Sequence, residues 1–230
     1  MNTMQKVAIF DIDGTIFRSS LLIEITEALV EAKVFPESAR EVYEKEYRAW
    51  RDRKESYEDY IAAVVRSFMR HIKGVHYGEF ADIAERVVAH QKDRVYRYTR
   101  DLAATLKKEG YFLLAISQSP KTILDEFAEK FGFDKVYGRI YEIGPQDRFT
   151  GTVVDLHLIE NKANIVRRAV EKEGLTLEGS VGVGDTEGDI PFLELVGTPI
   201  CFNPNGKLYK HAKRMKWKVV VERKDVIYEW

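Results

Sequence analysis

The sequence contains a single cysteine, Cys201, in 230 residues. An intramolecular disulfide is therefore excluded, and with no CxxC pair or Cys/His cluster there is no zinc-site pattern, so a reducing compartment is expected. An excess of one charge is also missing. The 36 Lys and Arg balance 37 Asp and Glu to a formal net charge of −1, which removes the global positive field of a generic nucleic-acid binder. The longest apolar runs, Tyr60 to Val65 and Tyr111 to Ile116, are six residues each, far short of the about 20 a membrane-spanning helix needs. The opening MNTMQKVAIFDIDG has a short apolar run broken by aspartates where a signal peptide would have a hydrophobic region, so the expected location is cytoplasmic. Neither a nucleic-acid nor a membrane partner is expected. The basic run Lys207, Lys210, His211, Lys213, Arg214 and Lys216 reads as a solvated helix face, because it lacks interleaved stacking aromatics.

With 45% hydrophobic residues the chain can build a core, and at about 150 residues per domain its length suggests one large domain carrying an insertion. Six β-rich runs alternate with helical patterns: Lys6 to Phe10, Tyr111 to Ser117, Val136 to Ile140, Ser180 to Gly184, Pro199 to Phe202 and Lys218 to Glu222. Such alternation predicts an α/β fold, a Rossmann-like parallel sheet sandwiched by helices. Helix punctuation supports it: Gly110 ends one helix, Ser119-Pro120 serve as N-cap and first turn of another closed by Gly132, and a third runs from Asn161 to Gly174. From about Ser19 to Val95 only helical patterns occur, bending at Pro36, Lys54 to Ser56 and Lys73 to Val75. A helical cap at 18–96, inserted into a core of 1–17 plus 97–230, is the predicted organisation. Tyr141 to Asp155 predicts a small antiparallel flap.

Chemistry concentrates at strand ends. In VAIFDIDGTIF two carboxylates, Asp11 and Asp13, leave the carboxyl end of a strand on the same side, the edge where open α/β sheets bind ligands. Gly14 and Thr15 follow, and the glycine allows a sharp turn with close backbone approach. Neighbouring carboxylates repel unless a cation or a shared proton relieves them. A second strand, in GVGDTEGDIPFL, ends in Asp185 with Asp189 four residues on. Ser117 ends the strand in YFLLAISQSP, with Gln118 next to it, just before a helix, where a hydroxyl and free amides suit an anion. Lys162 opens the helix NKANIVRRAV.

The order DxDGT, hydrophobic run plus Ser, Lys, then GDxxxD resembles the haloacid dehalogenase superfamily, and the helical insertion resembles its type 1 cap. The segment CFNPNGKLYKHAKRMKWKV is similar to the ending of subfamily IB, the phosphoserine phosphatase-like group. The resemblance implies a phosphatase acting on small phosphorylated metabolites, with Asp11 as nucleophile forming an aspartyl-phosphate and Asp13 as general acid and then base. It implies that Ser117, Gln118, Lys162, Gly14 and Thr15 hold the phosphoryl group, that Asp11, the Asp13 carbonyl and Asp185 bind Mg²⁺, and that Asp189 supports them. A monomer or homodimer is expected. A phosphotransferase or mutase of the same superfamily, or a phospho-accepting signalling receiver, is the alternative.

The sequence departs from phosphoserine phosphatases in two places. Ser20 stands where they carry a glutamate nine residues after the nucleophile, with Glu24 one turn further on, and Gln118-Ser119 stands where they tend to carry Gly-Gly. Pocket candidates in the insertion are Phe17, Arg18, Ser20, Glu24, Trp50, Arg51, Arg53, Arg66 and Arg70, and the arginines suggest an acidic or multiply phosphorylated substrate.

Overall fold

The computed structural model describes residues 4–155 and 161–230. Eight strands form one sheet: β1 (Gln5–Phe10), β2 (Phe112–Pro120), β3 (Lys135–Ile143), β4 (Phe149–Val154), β5 (Leu175–Gly184), β6 (Thr198–Phe202), β7 (Lys218–Arg223) and β8 (Val226–Glu229). Their order is β4-β3-β2-β1-β5-β6-β7-β8. The six central strands are parallel, whereas β4 and β8 pair antiparallel at the two edges. The predicted α/β fold is thus present, and the β3/β4 ribbon is the predicted flap. The terminal strand β8 has no counterpart among the predicted elements, because its short VIYE run carries little more than a tight turn as a signal.

Period-two alternation distributes the core over both faces of the sheet. Val7 and Ile9 of β1, with Leu114 and Ile116 of β2, pack against α8 (Lys162–Glu173), α9 (Ile190–Leu193) and α10 (Gly206–Met215). Ala8 and Phe10, with Leu113 and Ala115, face the opposite way. That side is covered by α6 (Arg97–Lys108) and α7 (Lys121–Glu129).

Between β1 and α6 the chain is helical: α1 (Leu21–Glu31), α2 (Ser38–Glu41), α3 (Glu44–Arg51), α4 (Tyr57–His71) and α5 (Tyr77–Gln91). Ser56 starts α4 with a capping box closed by Asp59, which satisfies two otherwise orphaned backbone donors. Phe17, Leu21, Phe35, Phe68 and Phe80 share one buried cluster with Phe127 of α7 and Phe149 of β4. The helices are therefore packed against the sheet unit and do not hang from a linker. The two connecting segments lie side by side, with the Arg18 N–H donating to Arg94 O at 2.8 Å and the Tyr96 N–H to Ile16 O at 2.9 Å.

One helix start differs from prediction. β2 continues through Pro120 and α7 begins at Lys121. Ser119 is not an N-cap, because its hydroxyl is taken by Asp13 and the Leu22 N–H. No helix among the described residues is long and apolar enough to cross a membrane.

Candidate active site

Strand register brings the chemistry together. Phe10 is opposite Ala115 on one side and Val183 on the other, so Asp11, Ser117 and Asp185 all emerge at the carboxyl ends of three adjacent parallel strands. Asp11 stays attached to the sheet through its N–H to Val183 O, 2.9 Å. Lys162, the first residue of α8, is delivered from the face below. Asn161 caps that helix by accepting the Ala163 N–H, and Gly174 ends it in the left-handed region.

Lys162 Nζ lies 2.6 Å from Asp11 Oδ1 and 2.5 Å from Asp189 Oδ1, and all three residues are buried. The other Asp189 oxygen accepts the N–H groups of Asp185 at 2.9 Å and Thr186 at 3.1 Å. Both oxygens of Asp189 are therefore occupied, and its work is to hold Lys162 and the Asp185 turn. Asp11 Oδ2, in contrast, is buried with no hydrogen-bond partner among the described residues. Carboxylate oxygens of Asp11, Asp185 and Asp189 lie within 4.8 Å of one another.

An orphaned carboxylate oxygen beside a second carboxylate is what a hard divalent cation satisfies, so the residues fit a metal ion. The ionisation behaviour of the cluster agrees. Burial, opposed by Lys162 and reinforced by Asp189 and Asp13, pushes Asp11 up to about 7. Burial and the charges of Asp11 and Asp189 hold Asp185 well above the usual carboxylate range. Burial by itself would lower Lys162, but Asp11 and Asp189 outweigh it and hold the ammonium above its ordinary value. Lys162 therefore supplies one positive charge to several negative ones, and a second cation would relieve the remainder.

Asp13 sits in a different environment. Its Oδ1 accepts the Leu21 N–H at 2.6 Å, and its Oδ2 accepts the hydroxyls of Ser117 and of Ser119, the latter at 2.8 Å. Burial raises its carboxyl against the opposing effect of those three bonds, which favours the protonated form a general acid requires. Sequence reasoning placed Ser117 here but missed Ser119. Its only signal was position, two residues after Ser117 on the same side of the strand. The amides of Gly14 and Thr15, expected near a phosphate, already donate to Phe17 O and Ser19 O and to Ile12 O respectively. The Gln118 carbonyl accepts from Arg139 Nε at 3.0 Å.

Close approach and a left-handed backbone both favour glycine at position 14. Its φ is +79°, and a Cβ there would lie 2.1 Å from Asp185 Oδ2. Gly14→Ala is expected to cost at least about 1–2 kcal/mol from the left-handed backbone alone and to displace Asp185. Thermal denaturation and metal-dependent activity should both fall, and an unchanged melting temperature would contradict the geometry.

Of the residues proposed for the insertion, Phe17 and Ser20 are buried and Glu24 is paired with Arg94 at 3.0 Å. Arg51, Arg53, Arg66 and Arg70 are exposed. Arg18 and Trp50, together with Tyr57, line a cavity of about 420 Å³ that reaches Gly14. Tyr57 went unnoticed in the sequence because aromatic residues on an amphipathic helix read as core.

The chain as a whole is similar to known proteins. Over 222 residues the chain is 27% identical to a phosphoserine phosphatase of Mycobacterium tuberculosis, covering 94% of this chain and 70% of that protein. Over 226 residues it is 26% identical to a histidinol-phosphatase of Neisseria meningitidis, covering 94% and 99%. Its fold matches that of a phosphoserine phosphatase solved as a phospho-aspartyl intermediate analogue, with a TM-score of 0.62 at 23% identity, covering 97% and 96%. The family model for haloacid dehalogenase-like hydrolases matches residues 8–194, and with most of the chain inside that match the protein belongs to the haloacid dehalogenase-like hydrolase family.

Proposed function

We propose that the protein is a Mg²⁺-dependent phosphatase that hydrolyses small phosphomonoesters through an aspartyl-phosphate on Asp11. The observation that carries this reading is the division of labour on Asp11: one oxygen is held by Lys162 and the other is buried without a partner beside Asp185. Phosphatase-named relatives support the reaction class.

Asp11 and Asp185, with the Asp13 carbonyl, would hold the magnesium ion, which when bound supplies positive charge to the phosphoryl oxygens and to the clustered carboxylates. A carboxylate oxygen of Asp11 attacks phosphorus as the bond to the leaving oxygen breaks, and protonated Asp13 gives its proton to that oxygen. Water then attacks the phosphorus of the acyl phosphate while Asp13 takes a proton from it, and the bond to Asp11 breaks to release phosphate. Lys162 remains charged throughout and neutralises oxygens in line with the attack. Ser117 and Ser119 orient the Asp13 carboxyl, and Asp189 positions Lys162. The division into a core of 1–17 plus 97–230 and a cap of 18–96 belongs to this proposal, supported by the paired connections at Arg18 and Tyr96. A cytoplasmic location also belongs to it, supported by the buried free thiol of Cys201.

A panel of phosphorylated metabolites, assayed for phosphate release with and without Mg²⁺, tests the reading. Turnover of none of them, or turnover unaffected by chelation, would overturn it.

Metal and pH are linked in the same cluster. The Asp11 carboxyl rises from 3.8 to about 7 on folding, so between those values the folded state binds more protons than the unfolded state. Stability of the chelated protein is therefore expected to fall as pH rises from 4 to 7. Magnesium should raise the melting temperature by more at pH 7.5 than at pH 5. Scanning calorimetry checks this, and an equal effect at both pH values would count against metal binding at Asp11.

A further inference from the structure

The cavity above Gly14 has walls built mainly from rings. Tyr47 and Trp50 of α3, Tyr57 and Tyr60 of α4, and Tyr96 line its volume of about 420 Å³. The rings hold one another in place: Trp50 stacks on Tyr60 with centroids 5.5 Å apart and planes 15° apart, and Tyr57 meets Trp50 edge-on at 5.4 Å. A wall braced in this way is pre-organised, so a planar ligand that joins it loses little additional side-chain freedom from the protein.

The charged groups of the same cavity are already matched. Arg18 pairs with Glu222 at 2.5 Å, donates to Val95 O at 3.0 Å and lies over the Tyr96 ring. Arg94 pairs with Glu24 at 3.0 Å and with Gln91 at 2.7 Å. Neither arginine is an unpaired cation waiting for a second carboxylate or phosphate. The same Arg94 pairing engages Glu24, the carboxylate one turn beyond the position where phosphoserine phosphatases carry a glutamate. Neither pairing favours an acidic or an amino-acid substrate, and the feature that distinguishes the cavity is its aromatic surface.

The cavity reaches the loop that follows β1, next to the catalytic end of the sheet. Gly14 lines it, and the Tyr57 ring, half-buried, lies close enough to Asp13, Asp185 and Asp11 to feel their charges. The Tyr57 hydroxyl has no hydrogen-bond partner among the described residues and remains a neutral donor, because burial and the charge of Asp13 hold it above its usual range. A group bonded to the leaving oxygen of a phosphomonoester at Asp11 would enter this space.

Building on the phosphatase reading, we propose that the ring-lined cavity selects phosphomonoesters whose alcohol carries a planar aromatic ring, with Trp50 and Tyr57 as the specificity-determining residues. The ring lies against Trp50, and Tyr57, edge-on to Trp50, closes the wall beside it.

The test compares 2-phenylethyl phosphate, 2-cyclohexylethyl phosphate and phosphoserine, whose leaving oxygens are all alkyl alcohols. Full-length protein with Mg²⁺ is expected to show kcat/KM about tenfold higher for the phenyl ester than for phosphoserine, and about threefold higher than for the cyclohexyl ester, which matches it in size but is not planar. Trp50→Ala is expected to abolish the phenyl over cyclohexyl preference mainly through KM, and Trp50→Phe to restore most of it. Equal rates on the two ring esters, or a preference for phosphoserine, would overturn the proposal. So would a phenyl preference that survives Trp50→Ala. Calorimetric Kd values for the corresponding 2-phenylethyl and 2-cyclohexylethyl phosphonates separate this proposal from the phosphatase reading. If no ester is hydrolysed, the reading fails, yet tighter binding of the phenyl phosphonate would still support the ring site and equal binding would refute it.

Discussion

Asp11→Asn is expected to lower Mg²⁺-dependent hydrolysis of an aryl phosphate by at least about 10³-fold, because an amide oxygen is too weak a nucleophile to form the covalent intermediate. The substitution is nearly isosteric, and Asp189 still pairs with Lys162 at 2.5 Å, so folding should survive. Steady-state phosphate release, together with circular dichroism and a melting curve, checks both halves. Loss of rate with an intact fold supports a nucleophilic role. Residual turnover above about a tenth of the parent rate would remove Asp11 from that role, and global unfolding would show that its contribution is structural.

Lys162→Met is expected to have the largest effect on stability. The ammonium is buried between Asp11 and Asp189 at 2.6 and 2.5 Å, and its removal leaves those two carboxylates, with Asp185 nearby, facing each other without a protein cation. Breaking a buried pair from one side typically costs about 3–5 kcal/mol, and at this chain length each kcal/mol corresponds to roughly 2–4 °C in melting temperature. The loss should shrink at low pH, where the remaining carboxylates take up protons, and on adding Mg²⁺. Hydrolysis should fall with it, since the phosphoryl charge would lose its fixed counterion. A melting temperature within about 2 °C of the parent would show that solvent screens the cluster far more than its burial implies.

The nine core positions named from sequence lie at or beside one end of the sheet because their signals were local. A β-branched run fixes a strand, a carboxylate directly after it marks the strand's carboxyl end, and parallel pairing carries the three ends to one edge. Asp11, Ser117 and Asp185 needed no further information. Asp189 was legible as a neighbour of that edge, but its two occupied oxygens were not, because they depend on how tightly the turn at Gly184 closes. A Cβ on Gly184 would come within 2.6 Å of Asp189. Ser119 was misassigned to a helix cap for a related reason. Ser-Pro is a local cap signal, and it was overridden by hydrogen bonds to Asp13, 106 residues away, and to Leu22.

The helical insertion shows the same limit more strongly. Its arginines suggested an acidic substrate, yet most of them face solvent, and the two that reach the cavity are matched by Glu222 and Glu24. Pairing between residues far apart in sequence leaves no mark on the residues themselves. By itself, the sequence determined the alternation of strands and helices, the central strand with its acidic end, and the family to which that pattern belongs, because strand period, helix caps and motif order are all properties of short segments. Only the tertiary structure decided which carboxylate oxygen is left without a partner, which arginines are neutralised, and that Tyr47, Trp50, Tyr57, Tyr60 and Tyr96 close around one cavity. Those outcomes depend on distances between segments, and segment spacing is set by packing of the whole core.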